Sequence, residues 1–255
     1  MHGTSAPTAG TRPDPGSLNR QATQVATGVA IALAITATIA IAFVHTRIAA
    51  GDLSVVARAL AYATIGGWLL AWLAVKHDVA PIFGAANAVT LARGVLALDL
   101  LALLGSPPSV VLAWSIVALA LVALVLDGVD GRVARRRGET SAFGARFDME
   151  TDALLILVLA ALAWNQGKAG AWILLAGALR YLFIAASLVL PWLAAPLPSS
   201  RRRQAVCVVQ IASLILCLAP FVGPPASSAI GLAGLVALLG SFAADVAWLA
   251  RRARG

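Results

Sequence analysis

Charge is scarce in this chain. Only 12% of its 255 residues are Asp, Glu, Lys or Arg, and the mean hydropathy is +0.89. A soluble domain carries about 25% charged residues, so a fold exposed mainly to water is excluded. Histidine and cysteine are nearly missing as well, at three and two residues. His2, His45 and His77 are scattered near loops or termini and have no ligand spacing. Cys207 and Cys217 share one apolar run but stand about 15 Å apart along a helix, too far for a disulfide. They read as small core residues. Strands of alternating polarity, the mark of an outer-membrane barrel, are also absent.

What is present is 60% hydrophobic residues, gathered into unbroken runs of Ala, Leu, Val and Ile. This pattern predicts an all-α integral membrane protein. Residues 1–20, rich in Gly, Pro, Thr and Ser, read as a disordered cytoplasmic tail. The run Val25 to Val44 is long enough to span a bilayer rather than to serve as a cleavable signal. Eight spans are expected, near 25–44, 55–75, 88–105, 110–131, 147–164, 169–191, 204–221 and 227–249.

The basic residues test that count. With both termini in the cytoplasm, the inner segments hold Arg12, Arg20, Lys76, Arg93, the arginines of 132–146, Arg201 to Arg203, Arg251, Arg252 and Arg254. Arg47, Arg58 and Lys168 fall outside, and Arg180 lies within a span. Positive-inside topology and anionic headgroups thus account for the formal charge of +8, and nucleic acid is not needed to explain it. The seven tryptophans mostly sit near span ends, as an interfacial belt requires.

The acids are distributed differently. Asp127, Asp130, Glu139, Asp148, Glu150 and Asp152 crowd the junction between two spans. A charge at membrane depth costs roughly 2.5–3.5 kcal/mol on insertion scales, so such a cluster reads as functional. Asp127 and Asp130 are i, i+3, and Asp148 and Asp152 are i, i+4, so each pair shares a helix face. The two pairs can meet across the short basic loop. Converging carboxylates need a cation between them, and hard oxygen donors without His or Cys favour Mg²⁺, Mn²⁺ or Ca²⁺. Four aspartates suffice for two such ions about 3.5–4 Å apart, an arrangement that clamps phosphoryl groups.

The stretch Asp127-Gly-Val-Asp130-Gly131-Arg-Val-Ala134-Arg135, followed after eight residues by Gly144-Ala-Arg-Phe-Asp148-Met-Glu-Thr-Asp152, resembles the signature of the CDP-alcohol phosphotransferases. That signature is D-x-x-D-G-x-x-A-R-x8-G-x-x-x-D-x-x-x-D, and every fixed position is filled. Asn87-Ala-Val-Thr90-Leu-Ala-Arg93 also looks like the N-x-x-T-x-x-R that often opens the family core. The resemblance implies a six-helix core, covering roughly residues 80–250, that moves a phospho-alcohol group from a CDP-linked donor to a hydroxyl and releases CMP. It makes Asp127, Asp130, Asp148 and Asp152 ligands of two divalent cations, Mg²⁺ or Mn²⁺, with Asp152 also the proposed general base. Gly131, Ala134, Arg135 and Gly144 would line the nucleotide site, joined by Asn87, Thr90 and Arg93. Family members are often homodimers.

The expected organisation is therefore a tail (1–20), an accessory pair of helices (21–79) and a catalytic membrane domain (80–255), with the active site on the cytoplasmic side of a bacterial-type inner membrane. CDP-diacylglycerol is the leading donor, because a membrane cavity suits its chains. A phosphorylated polyol such as glycerol 3-phosphate is the leading acceptor, with Arg180, Arg201, Arg202 and Arg203 offering phosphate partners. Arg180, inside a span, either pairs with an acid such as Asp99 or reaches the cavity. The sequence Asp148-Met-Glu-Thr-Asp152-Ala differs from the D-P-x-A-D-K expected of a typical phosphatidylglycerophosphate synthase, so no subfamily is identified. A CDP-linked amino alcohol with diacylglycerol as acceptor is the alternative within the family. Outside it stand a UbiA-type prenyltransferase, whose aspartate motifs lie in separate halves of the chain, and a divalent-cation transporter, whose acids would run across the bilayer.

Overall fold

The computed structural model describes residues 54, 57, 58, 85–137, 142–198 and 200–254, with backbone alone at 85, 86, 88, 129–137, 142, 143 and 254. The expected tail and nearly all of the two expected N-terminal spans lie outside these residues. The described chain is helical, and no strand occurs among the described residues.

Helices form where the apolar runs are free of proline, and they end where glycine or proline interrupts. α1 (Ala85–Ala102) stops before Gly105, which adopts φ +80°. α2 (Val110–Arg137) starts where the Ser109 hydroxyl accepts the Leu112 N–H at 3.1 Å. α3 (Ala142–Asn165) ends at Gly167, whose φ of +67° turns the chain so that the Lys168 N–H bonds the Ala163 carbonyl at 2.9 Å. A 3₁₀ turn (Ala171–Leu174) leads into α4 (Leu175–Val189), and a second (Pro191–Ala194) closes it. α5 (Arg201–Leu218) and α6 (Ala226–Arg254) follow, separated by a segment carrying Pro220, Pro224 and Pro225.

The helices alternate in direction. α3 is central, packing on α1, α4 and α5; α2 packs on α1 and α5; α6 lies along α5. Leu96 and Leu100 of α1, Ile116 of α2, Leu155 and Leu159 of α3, and Leu214 of α5 are all fully buried and form the heart of the core. The α3–α4 approach is close enough to require glycine. A Cβ on Gly177 would lie 2.3 Å from the Leu157 Cα, which is backbone and cannot swing aside. Gly177→Ala is accordingly expected to cost about 1–3 kcal/mol, seen as a lower melting temperature of the purified protein in detergent; an unchanged melting temperature would contradict this packing.

One end of the bundle is tied together by loop contacts. Lys168 Nζ donates to the carbonyls of Ala219 (2.9 Å) and Val222 (2.5 Å), and Ser227 donates to the Lys168 carbonyl at 2.6 Å. Gln166 reaches the Ser106 carbonyl at 3.2 Å, and Arg58 reaches the Leu104 carbonyl at 2.8 Å. Trp114, Trp164 and Trp172 lie toward this end, and Trp192 and Trp248 toward the other. Three stretches are long and apolar enough to cross a membrane: Val110–Gly128, Ala171–Val189 and Ala226–Ala253. This composition is consistent with an integral membrane protein. The remaining helices are richer in charge: α1 buries Arg93, α3 holds Asp148, Glu150 and Asp152, and α5 begins with Arg201 to Arg203.

Candidate metal and nucleotide site

Three helices deliver the site at the end opposite the Lys168 loop. Asp127 lies on the last part of α2, and Asp148 and Asp152 lie one turn apart on α3. Their carboxylate oxygens converge, all within 4.8 Å of one another, and the three side chains remain partly open at 21%, 43% and 19% exposure. The expectation that the acids of the two spans face each other is met by these three. Asp130, Gly131, Ala134 and Arg135 belong to α2, but their side chains lie outside the described residues. Gly144 is half-buried at the start of α3.

α1 supplies the positive charge. Arg93 is fully buried, and its Nη1 lies 2.8 Å from Asp127 Oδ1 and 2.7 Å from Asp148 Oδ1. Its Nη2 donates to Asp152. One guanidinium thus bridges all three carboxylates, and this juxtaposition was not foreseen from sequence. Asn87 and Thr90, buried at three-residue intervals before Arg93, follow the same face of α1.

Cys207 also belongs to the site. Its Sγ, on α5, donates to Asp152 Oδ2 at 3.4 Å, whereas the sequence places it in the core. Cys217, on the same helix, is buried among apolar side chains as expected. The signal that separates them is position: Cys207 stands about one turn from the arginine run, and Cys217 near the far end of the helix.

The remaining arginines divide. Arg180 pairs with Glu150 at 2.5 Å, on α3 between the two aspartates, rather than with Asp99. Asp99 is buried on α1, and its Oδ2 has no described partner. Arg202 and Arg203 both pair with Asp245 of α6, Arg203 at 3.3 Å, and Arg203 also donates to the Pro198 carbonyl. Arg201 stays exposed at the start of α5.

Three carboxylates this close repel strongly in a partly buried setting. The Arg93 guanidinium supplies compensating positive charge. The donors are hard oxygens, so the place that the guanidinium occupies suits a divalent cation of the Mg²⁺ type. The residues present therefore fit such an ion.

The model of the CDP-alcohol phosphatidyltransferase family matches residues 83–243, well over half of the chain and inclusive of Arg93 and all three aspartates. The chain belongs to this family. No curated protein and no solved structure matches it significantly. The family transfers a phosphatidyl or phospho-alcohol group from a CDP-linked donor to an alcohol and generally depends on divalent cations. An aspartate triad able to bind metal is what that chemistry asks of a protein.

Proposed function

We propose that this is a membrane phospholipid-synthesis enzyme that transfers the phosphatidyl group of CDP-diacylglycerol to a hydroxyl acceptor such as glycerol 3-phosphate, releasing CMP on the cytoplasmic side of an inner membrane. The observation that carries this reading is the convergence of Asp127, Asp148 and Asp152 at one end of an apolar helix bundle. The arginines gather at that same end, while Arg58 and Lys168 mark the other among the described residues, which supports a cytoplasmic site. The catalytic unit is residues 80–255. The Arg58 bond to Leu104 brings that residue of the 21–79 segment against the far end of the catalytic unit.

In this reading Asp127, Asp130, Asp148 and Asp152 hold two Mg²⁺ or Mn²⁺ ions. When bound, the ions supply charge neutralisation for the diphosphate and for the leaving CMP. Gly131, Ala134 and Gly144 let the nucleotide approach helix backbone, and Arg135 pairs with phosphate. Asn87, Thr90 and Arg93 close the other side. The acceptor oxygen attacks the β-phosphorus, the bond from that phosphorus to the bridging oxygen breaks, and CMP leaves with that oxygen. Asp152, or water beside it, takes the acceptor's proton. Arg202 and Arg203 are both held by Asp245, so Arg201 is the arginine of that run best free to meet an acceptor phosphate. Arg180 lies deeper and is held by Glu150.

Arg201→Ala is expected to raise the acceptor KM roughly tenfold, the worth of one charge-assisted hydrogen bond, with the donor KM unchanged. An unchanged acceptor KM would return Arg201 to topology alone. The function itself is tested by identifying the product lipid by mass spectrometry after incubating CDP-diacylglycerol with glycerol 3-phosphate, inositol phosphate, serine, inositol or phosphatidylglycerol. A phosphatidyl product from one acceptor is expected. Product formed only from a CDP-linked amino alcohol and diacylglycerol would overturn the donor assignment while leaving the family membership intact.

A further inference from the structure

We propose that Arg93 is the resident cation of the carboxylate cluster, so that divalent ions bind by displacing its guanidinium and the displaced guanidinium turns to the diphosphate. This rests on the metal-dependent reading above. Arg93 is the only described basic side chain that touches the cluster, and it is fully buried. Its two terminal nitrogens are spread over Asp127, Asp148 and Asp152, with Nη1 shared between the first two at 2.8 and 2.7 Å.

A guanidinium seated this way and a divalent ion cannot share the same oxygens. The guanidinium contacts Oδ1 of each aspartate where the three side chains converge, so a metal seated at that point would lie against it, and two cations so close would repel. Metal entry therefore competes with an internal ligand at very high local concentration. Its apparent affinity falls in proportion to the fraction of molecules in which the arginine has moved aside.

The arrangement also couples metal to nucleotide. A buried guanidinium cannot be left without a counter-ion, so its departure from the carboxylates is favourable only when another anion receives it. The donor's diphosphate is the anion that arrives with the substrate, and Arg pairs well with phosphate. Nucleotide should therefore tighten metal binding, and metal should tighten nucleotide binding by the same factor. In the empty enzyme Arg93 keeps the aspartates assembled, so the fold does not depend on metal.

The test is Mn²⁺ binding to the purified protein in detergent, followed by the loss of the free-ion electron paramagnetic resonance signal, with and without CMP. Wild type should bind weakly alone and more tightly with CMP. Arg93→Gln should bind Mn²⁺ roughly tenfold to a hundredfold more tightly than wild type without CMP, and CMP should tighten it by a smaller factor than in wild type. Chelation with EDTA should lower the melting temperature of Arg93→Gln and leave that of wild type unchanged. Arg93→Lys, which keeps the charge but cannot bridge three carboxylates, serves if the Gln variant does not accumulate; its affinity should exceed that of wild type by a smaller factor. Mn²⁺ affinity in these variants equal to or below wild type would overturn the inference while leaving the metal-dependent reading in place. No Mn²⁺ uptake by wild type or variant, even with CMP, would overturn both.

Discussion

Asp127→Asn and Asp148→Asn are each expected to lower CMP release by at least two to three orders of magnitude, the scale seen when one preorganised electrostatic contact to a transition state is removed. Asparagine keeps the size of aspartate and one oxygen that can accept from Arg93, so the contacts at 2.8 and 2.7 Å need not be lost. What disappears is one negative charge from a cluster whose use is to hold positive charge against a diphosphate. Expression, detergent extraction and melting temperature should therefore stay near wild type. The comparison that decides is CMP release per folded molecule. A variant that kept more than a few per cent of wild-type turnover would remove its aspartate from the metal site.

Chelation is expected to produce an equally large loss. Wild-type protein in EDTA should release no CMP above background and regain its activity on addition of Mg²⁺ or Mn²⁺. The donor set explains the choice of ion: the converging groups are carboxylates, and the one sulfur, Cys207, touches Asp152 at 3.4 Å without facing the other two acids in any described contact. The loss should be chemical and not structural, because Arg93 bridges the three aspartates without metal. A melting curve recorded on the chelated sample separates the two. Full activity in EDTA would end the metal-dependent account.

Much of this was legible in the sequence, for reasons that differ between elements. The apolar runs expected at 110–131, 169–191 and 227–249 correspond to Val110–Arg137, the turn-plus-helix Ala171–Val189, and Ala226–Arg254. Proline and glycine mark their ends, and those residues act locally. α2 runs past the expected boundary because hydropathy stops at Asp127 whereas the helix continues through Arg137. α3 likewise starts five residues before its apolar run, so that Asp148 and Asp152 sit on regular helix at i, i+4. The meeting of Asp127 with Asp148 and Asp152 was readable from spacing together with a short loop.

Pairings between distant helices were not readable in the same way. Arg93 against the three aspartates, Arg180 with Glu150, and Arg202 and Arg203 with Asp245 join residues 30 to 59 positions apart. No periodicity reports such contacts; they follow from which helix lies beside which. A partial signal did exist. Asp245 is a lone acid in an otherwise apolar stretch and must find a cation, and Asn87, Thr90 and Arg93 recur every third residue, as one polar helix face would. The contact of Cys207 with Asp152 carries no sequence signal beyond its distance from the arginine run.

The central claim is that the carboxylate cluster performs metal-dependent transfer from a CDP-linked donor. The most direct measurement is CMP release by the purified protein from CDP-diacylglycerol and glycerol 3-phosphate, with Mg²⁺ present or absent and with Asp152→Asn as the blank. The account predicts release that requires both the metal and the acceptor and that vanishes in the variant. Release that persisted in Asp152→Asn, or that ignored the metal, would contradict it.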